Sequence, residues 1–452
     1  MKRVLVITYY WPPSGGAGVQ RWLKFTKYLP SNEWQPVVYT PSNPEAPVDD
    51  PSLEQDIHPE TLVVKRPIRE PYMLYKKFVG MGAGERINAG FLSEDEKPPA
   101  KEGLAVWIRG NLFIPDARKY WIGPSVRFLK RYLRDHMVDA IISTGPPHSM
   151  HLIALKLHKQ LKIPWIADFR DPWTEIDFYD QLKLTRWADR KHRRLENEVL
   201  TGADRVVVVG KTMAGRFQEK TGIDAIVIPN GFDETDFIGK NDYGPESELG
   251  GSGHEKKLAG SGIPFTIVHV GAMNRDRNHP AFWQALAELR EENSDFARDL
   301  KIRLVGKLDH SVHRSIEKYQ LRECVEITPS LPHDRVIPLL QSASVLYLPI
   351  NNTPNARSIA TGKLFEYLSA GRPILGVGPT DGDAADIINE CQGGQMVAFA
   401  DREGIKKILE EWIRRHREGK LNVKPVSIDQ YSRKNLTEKY AGLLDQLNPV
   451  SS

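Results

Sequence analysis

Cysteine is scarce in this chain, and the shortage excludes two classes of protein. The 452 residues include only Cys324 and Cys391, too few for a disulfide framework or a four-thiolate zinc site, which favours a reducing compartment such as the cytoplasm. Long apolar runs are also missing: no stretch approaches the roughly 18 uninterrupted apolar residues of a membrane span. The N-terminal apolar run, Val4 to Ile7, is too short for a signal-peptide core. Any attachment to a membrane is therefore expected to be peripheral.

Excess charge of one sign is small as well. The chain has 62 Lys and Arg against 58 Asp and Glu, a net charge of +4, which argues against a dedicated nucleic-acid binder. A weak basic bias is compatible with contact to an anionic membrane surface. What is present is an apolar share of 40%, enough for the cores of the two or three domains that the length suggests.

Short β-rich runs alternate with helical patterns along the chain, which is typical of parallel α/β architecture. The first half predicts seven strands, near residues 3–8, 36–40, 61–65, 139–143, 164–168, 205–209 and 225–228. The second half predicts six more, near residues 265–270, 301–305, 324–328, 344–349, 373–377 and 395–399. The fold class expected is therefore α/β, with two doubly wound parallel-sheet domains in tandem.

Composition suggests where these domains begin and end. We predict an N-terminal domain over residues 1–238, in which the aromatic and basic segment 67–121 is an insertion. A Gly- and Ser-rich segment, 239–262, is predicted to be a flexible linker or loop. The second domain is placed at 263–425, and the last 27 residues, 426–452, are predicted to form a helix that could return to the first domain.

Ligands of open α/β sheets bind beyond the carboxyl ends of the strands, so the loops after strands are the first candidates for a site. The loop Pro12 to Gly18 follows the first strand and precedes a helix predicted to start near Val19. Gly15 and Gly16 would let backbone amides approach an anion or a sugar at a helix N-terminus. A tight turn is the alternative. The spacing fits neither a nucleotide-hydrolase phosphate loop nor the dinucleotide fingerprint.

Two later loops of the first domain carry titratable groups. If Ser149 caps the helix after the fourth strand, His151 stands in its first turn, where the helix dipole favours a neutral imidazole. The next loop places Asp168, Arg170 and Asp171 together, close to Trp173. Structural histidines and a surface ion-pair cluster remain the alternatives.

In the second domain, the loop that starts at Gly271 presents Arg275 and Arg277, which could meet a diphosphate. A helix predicted from Gly362 to Ala370 sets Lys363 and Glu366 three residues apart on one face. In this setting the pair suggests a cation for phosphate beside a carboxylate that accepts hydrogen bonds from a ribose diol. Solvated arginines and an ordinary helix-surface ion pair are the alternatives.

Taken together, these segments resemble retaining GT-B glycosyltransferases, in particular those of glycosyltransferase family 4. The resemblance is carried by Pro12 to Gly16, His148 to His151, Ala167 to Trp173, Ile228 to Asp233 and Lys363 to Pro373. It implies two Rossmann-like domains facing across a cleft, a nucleotide-sugar donor held by the C-terminal domain and an acceptor held by the N-terminal domain. It also implies transfer with retention, with neither a metal nor a cofactor.

The resemblance further implies roles for individual residues. The predicted catalytic residues are His151, which would contact the donor sugar near the reacting carbon, and Lys363 and Arg277 near the diphosphate. Donor binding is expected from Glu366, on the ribose, and from Arg275, Gly271, Lys307 and Ser358. The acceptor and phosphate loops are expected to contain Gly15, Gly16, Asp168, Arg170 and Asp171. Without a placed carboxylate nucleophile, catalysis would depend on stabilising the leaving diphosphate.

Two positions depart from the family pattern. Ser358 stands where a paired glutamate is common, and Ala272 stands where an arginine usually follows the glycine of the first C-terminal strand. They motivate an alternative, a catalytically degenerate GT-B subunit that binds or assembles in a polysaccharide pathway. An NAD-dependent enzyme is disfavoured because the dinucleotide fingerprint is missing.

The expected acceptor is a lipid-linked glycan or a polysaccharide precursor, because many members of the family act on lipid-linked acceptors at the cytoplasmic membrane face. The insertion 67–121 and the stretch 127–134 combine aromatic or apolar residues with cations, a combination that suits docking on anionic lipid. The alternative is that these aromatics fill the core of the first domain. No nucleic-acid partner is expected.

Overall fold

The computed structural model of the chain describes residues 1–45, 49–70, 100–237 and 264–447. Most of the predicted insertion 67–121 and the whole predicted linker 239–262 lie outside these residues. The chain divides into two compact units, Met1–Asn230 with Arg433–Ser452, and Gly231–Ser432. We describe each unit by itself.

Unit 1 is built on a parallel sheet of seven strands in the order β3-β2-β1-β4-β5-β6-β7. Its strands are β1 Lys2–Ile7, β2 Trp34–Pro41, β3 Leu62–Arg66, β4 Ala140–Gly145, β5 Trp165–Phe169, β6 Arg205–Val208 and β7 Ile226–Val227. All seven strands predicted from the sequence are confirmed. Along β1, residues Val4 to Ile7 pair in parallel with Ala140 to Ser143 of β4.

Helices cover both faces of this sheet. They are α1 Ala17–Tyr28, α2 Ala100–Leu112, α3 Lys119–Asp135, α4 Ser149–Leu161, α5 Arg186–Gly202 and α6 Lys211–Thr221. The central strands β4 and β5 are buried along their whole length, as is usual in parallel sheets covered by helices on both faces. Two apolar clusters, one on each face of the sheet, form the core.

Unit 2 repeats this plan with six parallel strands in the order β10-β9-β8-β11-β12-β13. The strands are β8 Phe265–Val270, β9 Leu300–Val305, β10 Val325–Thr328, β11 Val345–Pro349, β12 Ile374–Val377 and β13 Gly394–Val397, so the predicted six are confirmed. The helices are α7 Pro280–Glu292, α8 Ser294–Asp299, α9 His310–Lys318, α10 His333–Ser342, α11 Gly362–Ser369, α12 Asp383–Glu390 and α13 Arg402–Arg417.

The last described helix, α14 Arg433–Leu447, belongs to unit 1. It packs on α1, where the rings of Tyr440 and Trp22 lie 5.2 Å apart. Arg433 donates hydrogen bonds to the carbonyl oxygens of Gln20 and Arg21. The chain therefore leaves unit 1 after residue 230 and re-enters it at residue 433.

The amphipathic stretch 127–134 lies within α3. Leu129 and Leu133 are buried, and Phe128 and Tyr132 pack against the same core. The aromatic and apolar face of this stretch therefore fills the interior of unit 1, as the alternative in the sequence analysis had it. The expectation that this face meets lipid is wrong here, since the core already covers it.

Among the described residues, no helix is both long enough and apolar enough to cross a bilayer.

Candidate functional site

Each sheet has one point where the strand order reverses direction. In unit 1 it lies between β1 and β4, and in unit 2 between β8 and β11. Ligands of open α/β sheets bind at such a point, beyond the carboxyl ends of the strands. The predicted residues of unit 1 follow β1, β4 and β5, and those of unit 2 follow β8, β9 and β11, so the topology gathers each set at one edge of its sheet.

The glycine-rich loop of unit 1 leads from β1 into α1. Gly16 has φ +90° and stands at the N-cap position of α1, with no side-chain cap. Gly16 is exposed, whereas Gly15 is buried. A positive φ is strained for any residue with a Cβ, so glycine at position 16 lets the chain turn into α1 without strain.

Arg170 joins the loops after β1, β4 and β5. From the end of β5, its guanidinium donates to the carbonyl oxygens of Gly18 (3.2 Å) and Pro146 (3.3 Å). A Cβ on Gly18 would lie 3.2 Å from the same guanidinium and 2.8 Å from the ring of Tyr10. Asp171 accepts a bond from Arg170 at 3.4 Å. Arg170 therefore holds the edge of the site together while remaining partly exposed.

The start of α4 differs from the sequence prediction. The helix begins at Ser149, and His148 stands at the N-cap position without a side-chain cap bond. The cap comes from Asp116, whose carboxylate accepts from the Ser149 amide and hydroxyl, each at 2.8 Å. The assignment of Ser149 as N-cap is therefore wrong, because a carboxylate from a distant segment satisfies the first turn.

His151 is fully buried in the first turn of α4. Burial lowers the pKa of its imidazole to about 3, against a weaker opposing effect of Asp168. The ring is therefore neutral, as expected, with desolvation the largest cause. Ser143 Oγ lies 2.8 Å from its Nδ1 and also accepts from Trp165 Nε1. No other acceptor for the Ser143 hydroxyl proton lies among the described residues, so this buried proton donates to Nδ1, which assigns the imidazole proton to Nε2.

That Nε2 atom has no hydrogen-bond partner among the described residues, and neither has Nδ1 of His148. Both nitrogens face Gly145, where a Cβ would lie 2.5 Å from His151 Nε2 and 3.0 Å from His148 Nδ1. His148 is itself stacked on Trp173 with ring centroids 4.6 Å apart. Two buried imidazoles with unused nitrogens thus converge at the end of β4, and such groups call for a partner.

Asp168 lies elsewhere than expected. Its carboxylate is fully buried and accepts from Arg21, Trp22 and Thr144, each at 2.8 Å, and from Tyr440 at 2.5 Å. Burial alone would raise the pKa of Asp168, but the charge and hydrogen bonds of Arg21 hold it below its usual value. The structure therefore removes Asp168 from the predicted acceptor loop, because a carboxylate so enclosed cannot reach a ligand.

In unit 2 the backbone turns sharply after β8. Gly271 has φ +115°, and a Cβ there would overlap Nζ and Cε of Lys363. A Cβ on Gly306, after β9, would lie 2.7 Å from the carbonyl oxygen of Gly271. The two glycines make room for the Lys363 side chain to reach the end of β8 from the first turn of α11.

The environment of Lys363 is unusual for a lysine. Lys363 is half-buried, and desolvation lowers the pKa of its ammonium to about 7. Arg277 lowers the pKa further and Glu366 opposes both effects. Glu366 is half-buried one turn along α11. The sequence predicted the pair Lys363 and Glu366 from their spacing on one helix. The structure places this pair at the point where the strand order of unit 2 reverses.

Arg277 is fixed in position by two acceptors. Its Nε donates to Asn351 Oδ1 at 2.6 Å and one terminal nitrogen donates to the Ala272 carbonyl at 2.8 Å. Arg275 and Lys307, the other predicted cations, are exposed. Asn351, which follows β11, was not predicted, since nothing near it in sequence indicates that it orients an arginine 74 residues away.

Ser358 is buried, and its hydroxyl donates to the Asn355 carbonyl at 2.7 Å. The hydroxyl proton is therefore used within its own turn, and Ser358 does not reproduce the free carboxylate of a paired glutamate. A second hydroxyl was missed: buried Oγ1 of Thr361, which stands at the N-cap position of α11, has no partner in the described part of the chain.

The described residues contain no group of three or more His, Cys, Asp or Glu side chains placed to hold a metal ion.

Comparison with known proteins adds the family. Residues 89–236 match the Glycosyltransferase Family 4 description, and residues 254–427 match Glycosyl transferases group 1. A search of curated protein sequences found no match.

Solved structures match the chain over nearly its whole length at low sequence identity. A sucrose-phosphate synthase from Thermosynechococcus elongatus is 13% identical, with a TM-score of 0.61 and full coverage of both chains. WaaG, a glycosyltransferase involved in lipopolysaccharide biosynthesis, is 15% identical, with a TM-score of 0.55 over 99% of this chain and 100% of WaaG. A trehalose-6-phosphate protein from E. coli, bound with UDP-2-fluoro glucose, is 11% identical, with a TM-score of 0.59 over 98% and 99% of the two chains.

Two Rossmann-like parallel-sheet units with GT-B structural neighbours define the class of the protein. The two matched segments then fix the family, and the chain belongs to the glycosyltransferases of family 4 type, glycosyl transferases group 1.

Proposed function

We propose that the protein transfers a sugar from a nucleoside diphosphate sugar to an acceptor with retention at the anomeric carbon and without a metal ion. The observation that carries the proposal is the contact of Lys363 with Gly271 where the strand order of unit 2 reverses, with Glu366 one turn further along α11. A cation and a carboxylate at this point suit a diphosphate and a ribose diol. The UDP-2-fluoro glucose bound by the E. coli relative supports this class of donor.

The proposed chemistry depends on the leaving group. Negative charge develops on the diphosphate oxygen as the bond to the sugar breaks, and fixed cations stabilise that charge. Lys363 and Arg277 supply it, and Asn351 holds Arg277 in place. No carboxylate nucleophile is assigned, because Asp168 is enclosed by four donors. To His151 we assign the contact with the donor sugar, since its Nε2 carries a proton and has no described partner.

The proposed acceptor is a lipid-linked glycan or a polysaccharide precursor, taken up by the loops after β1 and β4 of unit 1 at the inner face of the cytoplasmic membrane. Support comes from the exposed backbone at Gly16 and from the resemblance to WaaG, which is involved in lipopolysaccharide biosynthesis. The exposed cations of unit 1 would serve attraction to anionic lipid.

The decisive measurement is donor affinity in a Glu366→Ala variant. Loss of a hydrogen-bonded carboxylate is expected to weaken binding of the matching nucleoside diphosphate by about 1.5–3 kcal/mol, measured by titration calorimetry against UDP, GDP and ADP. Glu410→Ala is the matched control, because Glu410 lies on the exposed side of α13. Unchanged affinity in the Glu366 variant would remove this residue from the donor site.

A turnover assay distinguishes an active transferase from the alternative, a catalytically degenerate subunit, which Ser358 and Ala272 suggest. An active transferase is expected to hydrolyse or transfer the sugar of the nucleotide that it binds, and to keep this activity in EDTA. Binding without any turnover would favour the degenerate subunit. Loss of turnover in EDTA with rescue by manganese or magnesium would refute metal independence.

A further inference from the structure

Helix α5 carries a dense row of cations on the surface of unit 1. Residues 183–194 contain six Lys and Arg side chains and one carboxylate, that of Asp189, in a chain whose total net charge is only +4. All six cations are exposed. The small excess of positive charge in the whole chain is therefore concentrated at the beginning of one helix.

Pairing with acids leaves four of these six cations available. Arg193 pairs with Asp189 at 3.0 Å, and Arg194 pairs with Glu198 at 2.8 Å. By contrast, four cations form no ion pair with any residue that the structure describes: Lys183, Arg186, Arg190 and Lys191. Unpaired cations in a row attract an anionic partner more strongly than cations whose charge a neighbour neutralises.

The same row contains an exposed indole. Trp187 is 61% exposed, and the ammonium of Lys191 lies 4.8 Å from the centre of its ring. A tryptophan this exposed leaves a large apolar surface in water. Tryptophan with adjacent lysine or arginine is the combination that lies at the boundary between lipid headgroups and acyl chains.

The inner face of α5 prevents the helix from rotating to bury this indole. His192 accepts from Trp173 Nε1 at 3.1 Å, and buried Glu196 accepts from the amide and the hydroxyl of Thr174 and from Lys220. These bonds fix which side of α5 faces the core. Trp187 and the cations are therefore held outward by the fold.

Helix α2 adds apolar surface next to this row. Asn111 near its C-terminus donates to the carbonyl of Lys183 and accepts from the amide of Thr185, at 3.3 and 2.7 Å, which ties α2 to the beginning of α5. One turn earlier on α2, Trp107 is 37% exposed, and Leu112 at its end is 53% exposed.

We propose that this basic and aromatic face, formed by Lys183, Arg186, Trp187, Arg190 and Lys191 with the adjoining end of α2, is the surface by which the protein docks on a bilayer containing anionic lipid. The proposal rests on the membrane location given under Proposed function and places it on a defined surface. Bases of a single-stranded nucleic acid can stack on indoles but offer nothing to the exposed leucine beside them, whereas acyl chains and headgroups fit both the indole and the leucine surface. Lipid is therefore the occupant that satisfies both the charge and the apolar area.

The comparison with α3 sharpens this assignment. Lys130, Arg131 and Arg134 also lie on a helix surface, but the aromatic residues between them pack into the core. That face offers charge without an apolar anchor. A reversal of three cations on each helix changes the net charge equally, so the pair of variants separates a local surface from the effect of total charge.

The test is cosedimentation of the full chain with vesicles of phosphatidylcholine, with and without phosphatidylglycerol, at low and high salt. We expect binding to anionic vesicles only, weakened by salt. Arg186→Glu/Arg190→Glu/Lys191→Glu should reduce the bound fraction at least tenfold, and Trp187→Ala should reduce it severalfold. Lys130→Glu/Arg131→Glu/Arg134→Glu should retain most of it. Equal loss in both triple variants, or loss in the α3 variant alone, would overturn the proposal.

Two further measurements distinguish failure of the docking surface from failure of the proposed sugar transfer. The α5 triple variant should bind the nucleoside diphosphate with unchanged affinity, since none of its residues lies in the donor site. If neither the unmodified chain nor any variant binds vesicles but all of them still bind nucleotide, the docking surface is refuted. The proposed sugar transfer is then unaffected. Tighter binding of the α5 face to single-stranded oligonucleotide than to anionic vesicles would also refute it.

Discussion

The two candidate sites occupy equivalent places in their sheets but satisfy their polar groups in different ways. In unit 1, Asp168 and Arg170 are held by hydrogen bonds within the unit. In unit 2, Lys363 lies against the backbone of Gly271 and makes no ion pair with a described residue. Asp168 and Arg170 of unit 1 are therefore occupied in holding their own loops in place, whereas the cation of unit 2 is available to a ligand.

Burial explains the contrast. A buried ion pair is tolerated only when its remaining lone pairs and protons are satisfied, and Asp168 meets this condition through Arg21, Trp22, Thr144 and Tyr440. A partly desolvated ammonium without such partners shifts its pKa instead, as that of half-buried Lys363 does. Equivalent edges of the two sheets thus carry a fixed hydrogen-bond network in unit 1 and, in unit 2, a lysine whose protonation can change near neutral pH.

The largest effect on stability is expected from substitution of Asp168, the centre of the unit 1 network. Asp168→Ala leaves the fully buried guanidinium of Arg21 without its counter-charge, which typically costs about 3–5 kcal/mol. The fall in the free energy of unfolding is measurable by urea denaturation. Tyr440→Phe, which removes one hydroxyl from the same network, should cost only about 1 kcal/mol. Equal effects of both variants would mean that the ion pair does not organise the network.

A smaller effect is expected at Gly271, where the comparison predicts that stability and ligand binding are both reduced. Gly271→Ala places a methyl group on the position of the Lys363 side chain and strains a backbone with φ +115°, at a cost of about 1–3 kcal/mol. Donor affinity measured by calorimetry should fall by a corresponding factor as Lys363 is displaced.

Gly419→Ala supplies the control for this substitution. Gly419 also has a positive φ, +68°, but a Cβ there meets nothing within 4 Å. It should lower stability slightly and leave donor affinity unchanged. If both variants bind donor equally well, the packing of Lys363 on Gly271 has no part in binding.

Features of the fold and the site could be predicted from the sequence when the interacting residues are close together along the chain. The strands were predictable because apolar runs bounded by turns report burial locally, and Lys363 and Glu366 were predictable because both lie on one helix. The cap of α4 was not, because Asp116 precedes Ser149 by 33 residues. Arg21 was missed for the same reason: its partner Asp168 is 147 residues away, and only the fold reveals that such a cation is buried.

The smallest effect expected is the uptake of close to one proton by Lys363 when donor binds at pH 8. With a pKa of about 7 in the free protein, its ammonium is mostly deprotonated at pH 8. A bound diphosphate favours the charged form and raises that pKa, so donor binding at pH 8 should take up most of one proton and should weaken as the pH rises above 7. Calorimetry of a nucleoside diphosphate sugar in buffers of different ionisation enthalpy measures this uptake, since the diphosphate of such a donor does not titrate in this range. Lys363→Arg keeps a permanent charge and should bind without uptake. The same uptake in this variant would show that a group other than Lys363 takes up the proton.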